Sequence, residues 1–198
     1  MVNLYLPICS ILISLLLVIV FFSKSRIHNL ETSIFGRIIV IQLFESIVET
    51  AIYFFAYTYY NVMLITILNN FVCVFYCSWT MYFFLYIAYI SYVKDELKLK
   101  KYNSFKKIII FINTISCLII IFSPINYVNE SSMMYSYGLK PNITYFVCFI
   151  WIVLSIIVTL VNYKNLKNKK YIPLYSLFLI AILIFIIRVY DPSIIVIP

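Results

Sequence analysis

The sequence predicts an all-α fold, a polytopic bundle of transmembrane helices, and three observations carry the prediction. The 198-residue chain is 65% hydrophobic and 11% charged, whereas soluble domains are about 25% charged. Apolar runs near the 20-residue length of a membrane-crossing helix recur along it. Thirteen of the 15 Lys and Arg residues fall after alternate runs, the asymmetry that orients membrane proteins. With one His, seven acidic residues and two glycines, the chain can write no phosphate loop or dinucleotide fingerprint. No catalytic residue, metal site or cofactor is expected.

Taken in order, the first span is expected at about residues 2–23. It has no basic leader, and its positive charges follow the apolar run, so it should stay as a mature helix rather than leave as a signal peptide. The second lies at about 34–57 and the third at about 66–93, inside an apolar run that begins at 62. That run is too long for one straight crossing at 1.5 Å per residue and too short for two, so one helix whose cytoplasmic end projects into water is expected. The fourth is placed at 108–123, the fifth at 143–162 and the sixth at 172–190. Asp191-Pro192-Ser193 then marks a turn, and Ile194 to Pro198 reads as the opening of a seventh span, so the sequence is expected to be a fragment.

Lys24, Arg26 and Arg37 flank the first connection. Lys94, Lys98, Lys100, Lys101, Lys106 and Lys107 lie between spans three and four, and Lys164, Lys167, Lys169 and Lys170 between five and six. These connections are therefore cytoplasmic and the N-terminus outside. The net charge of +8 is a topology signal that also attracts anionic lipid, and no nucleic-acid partner is expected, because the lysines are split among short loops. On the other side, a polar, Tyr-rich loop at 124–142 is bounded by Pro124 and Pro141. Asn129 and Asn142 open glycosylation triplets there, and Tyr53, Tyr57, Tyr59, Tyr60, Tyr135, Tyr137 and Tyr145 suit an interfacial aromatic belt. Cys9, Cys73, Cys77, Cys117 and Cys148 all lie in apolar runs and read as packing, not as metal ligands or disulfides.

The candidate sensing residues are polar groups at membrane depth. Gln42, Glu45 and Glu49 follow i, i+3, i+7 spacing and share one face of span two. Intramembrane carboxylates face a bundle interior or a water-filled cavity. They form either a proton-, cation- or amine-sensitive element or an interhelical hydrogen-bond clamp. Arg188 of span six falls in the same outer half of the bilayer as Glu49 and can reach it, or snorkel to the surface. Span three adds Asn69 and Asn70, then Tyr82, Tyr86, Tyr89 and Tyr92, spaced for interhelical packing. Scarce Gly and Ala argue against the broken helices of secondary transporters.

The segment FFSKSRIHNLETSIF, Phe21 to Phe35, resembles the FFSK-x-R-x-x-N-x-E-T-x-I-Y/F lead into the second span of Firmicutes-type bacterial sensor histidine kinases with a multi-span N-terminal membrane domain. NYKNLKNKKYIP, Asn162 to Pro173, and Asp191-Pro192-Ser193 resemble that family in similar order, which more often has Asn before the proline. The resemblance implies that residues 1–198 are a sensor or input domain in the bacterial cytoplasmic membrane. It further implies homodimerisation, a cytoplasmic kinase domain in cis and a response regulator as partner. His28 lacks the helical context of a phospho-accepting histidine. A small permease or channel subunit and the input domain of a diguanylate cyclase are the alternatives.

Overall fold

The computed structural model describes residues 5–23, 30–58, 61–92, 96–130 and 133–162. They form α1 (Tyr5–Ser23), α2 (Leu30–Thr58), α3 (Val62–Tyr92), α4 (Glu96–Phe122), the hairpin strands β1 (Asn126–Glu130) and β2 (Met133–Tyr137), and α5 (Leu139–Val161). α3 is the hub, packed against α2, α4 and α5, while α1 packs on α2. The solvent logic is inverted relative to a soluble protein. Leu12, Ile13, Leu16, Phe111, Phe122 and Phe146 point outward, whereas Glu45, Ser46, Thr80, Asn113, Ser155 and Thr159 are buried. Such a surface calls for lipid. Hydroxyls within the helices also bond their own backbone, as Thr50 does to Ser46 O, Thr80 to Tyr76 O and Ser155 to Trp151 O, so these protons keep an acceptor in hydrocarbon.

The structure corrects the expected six spans plus a seventh. Among the described residues there are five helices, and four are long and apolar enough to cross a membrane: Leu30–Ala56, Val62–Tyr92, Tyr102–Phe122 and Leu139–Val161. The apolar helix Pro7–Ser23 is shorter than these. The expected span at 172–190, the start of a seventh and Arg188 lie outside the described residues. Over the described residues, counting apolar runs gave five crossings where four helices have membrane length, because an apolar run such as the first, expected at 2–23, does not fix how much of it is one helix.

Two further corrections concern local structure. The fold is not purely helical, since β1 and β2 pair antiparallel from Asn126 opposite Tyr137 to Glu130 opposite Met133. The polarity of this stretch hid a strand-forming set of Tyr, Val and Met residues. α4 begins at Glu96 rather than 108, because its lysine-rich first half is amphipathic. Tyr102 is buried there and donates through its hydroxyl to Leu85 O at 3.0 Å. A window that sums hydropathy misses a helix of which one face carries lysines.

The 31-residue α3 is one helix, as expected, about 46 Å long against a hydrocarbon core of about 30 Å. Asn61 starts it, its Oδ1 accepting from Leu64 N at 3.2 Å. Ile34 and Ile38 of α2 and Tyr102 of α4 pack around its last turns with Phe83, Ile87 and Ile90. Tyr86 contacts Phe35 and Tyr89 contacts Tyr102, with ring centroids 5.6 Å apart in each pair, so these two tyrosines serve packing. Gly36 admits α1, because a Cβ there would stand 3.0 Å from the Phe21 ring.

Candidate functional site

The face of α2 predicted from spacing is a buried one. Glu45 is 1% exposed and Glu49 is buried one turn further on. Gln42 is half-buried, and its Nε2 is a buried donor with no hydrogen-bond partner among the described residues. Beside them Ser46 donates to Gln42 O and meets Ser10 Oγ of α1 at 3.2 Å. The ring of neighbouring Phe44 stacks with Phe75 of α3, which sets the level of Glu45 in the bundle. The carboxylates thus point into protein, the placement that intramembrane acids adopt. Arg188, the partner expected for Glu49, lies outside the described residues.

Asn69 and Asn70 belong to a different assembly, beneath the hairpin. Asn69 Nδ2 donates to the Tyr127 hydroxyl of β1 at 3.4 Å, and that hydroxyl donates to Thr66 Oγ1 at 3.1 Å. Thr66 Oγ1 in turn donates to Val62 O. One donor direction runs through the whole chain, so every proton has an acceptor. Burial pushes the Tyr127 phenol up from its ordinary value, and the bonds with Thr66 and Asn69 pull it partly back.

Asn70 receives a buried cation. Lys140, 2% exposed at the start of α5, donates from Nζ to Asn70 Oδ1 and, at 3.3 Å, to Ile121 O. Ile121 O is among the last carbonyls of α4, which lack partners within their own helix and form the negative end of its dipole. Two further carbonyls of that end are answered, Ile119 O by Ser123 Oγ and Ile120 O by Ser123 N, and Pro124 O just beyond it accepts from Lys140 N. Gly138, at φ 110° and with its Cβ position 3.3 Å from Asn126 Nδ2, is the turn that returns the chain from β2 to this point. Pro141 fits the first turn of α5, where no backbone donor is required. Lys140 therefore joins α3, α4 and α5, and Tyr127 adds the hairpin.

In the sequence Lys140 counts only as a charge on the outer side of the membrane. Its one signal is a lone lysine between a turn glycine and a helix-starting proline, at the head of an apolar run. Deeper in the bundle, Cys73, Cys77, Cys117 and Cys148 gather from three helices in one buried cluster with Ile120. Asn113 accepts from Trp151 Nε1 at 3.2 Å and approaches Cys117 Sγ at 3.7 Å. The thiols do pack as apolar groups, but at one level, which no spacing across separate helices could reveal.

The arrangement holds an ammonium, two amides and a phenol where the hairpin and three helices meet. The chain is a helical, multi-span, membrane-embedded domain. No protein-family model, curated protein or solved structure matches it.

Proposed function

We propose that this domain is the membrane input module of a bacterial sensor histidine kinase, passing an extracellular or membrane signal to a cytoplasmic kinase domain by helix rearrangement. The kinase identity rests on the resemblance of Phe21 to Phe35 and of Asn162 to Pro173 to that family. The observation that supports the sensing role is that Tyr127 and Lys140 tie the hairpin and α5 to α3, a single helix longer than the hydrocarbon core. A signal that moves the hairpin has a continuous element on which to act. Transmission then requires two packings of α3 that differ in their contacts with these groups.

The test uses the domain joined to its kinase. Tyr127→Phe and Asn70→Leu should each change autophosphorylation at unchanged membrane abundance, with Tyr145→Phe as a control. Unaltered autophosphorylation in both variants would sink the sensing role of this junction. Selective solute flux through the purified chain in liposomes would favour the permease instead.

A further inference from the structure

At the opposite end of the bundle from the hairpin, one cation lies over a tyrosine of α3 and a second stands on the neighbouring α4. Arg37 of α2 is exposed, its guanidinium lies 5.7 Å from the centroid of the Tyr82 ring, and its Nη1 donates to the Tyr82 hydroxyl at 3.4 Å. Lys106 of α4 is half-buried, and its neighbour Phe105 packs with Tyr82 against the core that Ile38, next to Arg37, helps to form, which brings the two cations close enough to repel. Among the described residues the partner seen for Arg37 is a neutral phenol, which takes one of its five donors and leaves the others for a ligand. Like charges held together at the rim of an apolar bundle are stabilised when an anion sits between them.

Depth identifies the anion. Along α3, Tyr82 lies about 30 Å from Val62, and along α2, Arg37 lies about 32 Å from Thr58, at 1.5 Å per residue. Those are one hydrocarbon thickness, so both residues fall at the level of lipid phosphates when the hairpin end sits at the other interface. Lys106, about 24 Å from Phe122 by the same rise, reaches that level through its flexible stem. From Lys107 towards the hairpin end, α4 presents Ile108, Phe111, Ile112 and Ile115 outward, an apolar track for acyl chains beside the cations. A free anion would use the charges and leave the track unused.

We propose that Arg37, Lys106 and the Tyr82 hydroxyl form a binding site for the phosphodiester of an anionic phospholipid, whose chains lie along the outer face of α4. Arg37 supplies a planar fork for two phosphate oxygens, Lys106 a point charge, and Tyr82 orients the fork from below.

Quenching of the chain's tryptophans by acyl-brominated lipids provides the test, because Trp79 sits one helical turn from Tyr82 and stacks on Phe83. The full chain is reconstituted in phosphatidylcholine bilayers containing a brominated fraction of either phosphatidylglycerol or phosphatidylcholine. A basic residue at an anionic surface is worth about a fivefold preference, so the two cations should give a roughly five- to twentyfold preference for the glycerol lipid. Arg37→Gln with Lys106→Gln should bring that preference close to one. Lys164→Gln with Lys167→Gln removes equal charge elsewhere and should leave it intact, with helicity followed by circular dichroism in every variant. Equal loss in both double variants would overturn the proposal in favour of unspecific surface attraction. Displacement of the brominated lipid by millimolar inorganic phosphate would overturn it in favour of a soluble anion. Should the Arg37 and Lys106 variant lose helicity, Tyr82→Phe is the second reading: it keeps both charges and should lower the preference by a factor of two or more, and no change there overturns the assigned geometry.

Discussion

Replacing Asn70 with Leu takes from the buried Lys140 ammonium its side-chain acceptor and leaves only Ile121 O. Lost hydrogen bonds to charged groups are worth about 1.5–3 kcal/mol, while interhelical bonds within membranes average about 0.6 and reach about 1.7 kcal/mol. Lys140 is 2% exposed, so water replaces the amide poorly, and the value falls where the two ranges overlap, at about 1.7 and so about 2 kcal/mol. Lys140→Met loses two bonds but also removes the cost of burying a charge, which makes it the milder change at about 1 kcal/mol. In the double variant neither a stranded cation nor a stranded amide remains, and the sum of the single effects, about 3 kcal/mol, should fall to about 1. The coupling is then about 2 kcal/mol, measurable by detergent unfolding of the four proteins followed by helical circular dichroism. Additivity to within about 0.5 kcal/mol would show that the two side chains do not act as a unit and would refute the reasoning.

The hairpin offers a second measurement. Tyr127→Phe deletes a hydroxyl that donates to Thr66 and accepts from Asn69, so hairpin amides should exchange faster by the equivalent of about 1 kcal/mol, with α4 and α5 protected as before. Because the Tyr127 phenol is raised by burial, its contribution should be complete below the ordinary phenol value of about 10 and be lost as pH rises through the higher folded value; an alkaline step that survives Tyr127→Phe would contradict this. A third measurement concerns the thiols. A variant retaining only Cys77 and Cys117 should cross-link α3 to α4 under a membrane-permeant oxidant, since these residues share one buried cluster, whereas one retaining only Cys9 and Cys148 should not; the alkylation pattern by mass spectrometry decides.

Much of the fold was legible because lipid imposes a blunt rule: every backbone group must be satisfied within its helix, so long apolar runs become helices. That rule placed α2, α3 and α5 and identified α3 as one helix. It failed where a helix is half polar, at the lysine-bearing start of α4, and where polar chain pairs with itself, at β1 and β2. It also gave one crossing too many among the described residues, at the first run, because apolar length does not show where a helix begins. At the candidate site, Gln42, Glu45 and Glu49 were readable from spacing on one helix, and Asn69 and Asn70 from their polarity. Their grouping was not, since Tyr127 is 58 residues from Asn69 and Lys140 is 70 from Asn70. A lone lysine carries no mark that it caps another helix.

These distances along the chain bear on what α3 can transmit. Its hairpin half is fixed by directional bonds, in which Asn69 donates to Tyr127, Tyr127 to Thr66 and Lys140 to Asn70. Its middle is held by thiols and aromatic rings, which exchange contacts with little geometric demand. Towards the far end direction returns, with Arg37 bonded to Tyr82 and Tyr102 to Leu85 O. A helix clamped at both ends by directional bonds and held between them by non-directional contacts moves as a rod when one clamp changes, because its backbone bonds are stronger than the contacts along its sides. Loss of the Asn70 clamp at about 2 kcal/mol would shift a balance between two packings by about thirtyfold, at tenfold per 1.4 kcal/mol. In the proposed sensor that is enough to turn a minor packing into the dominant one, provided the alternative packing forgoes the Lys140 bond. An anionic lipid at Arg37 and Lys106 would bias the same equilibrium from the other end, so its effect on kinase output should be largest in wild type and shrink once Asn70→Leu has already displaced the balance.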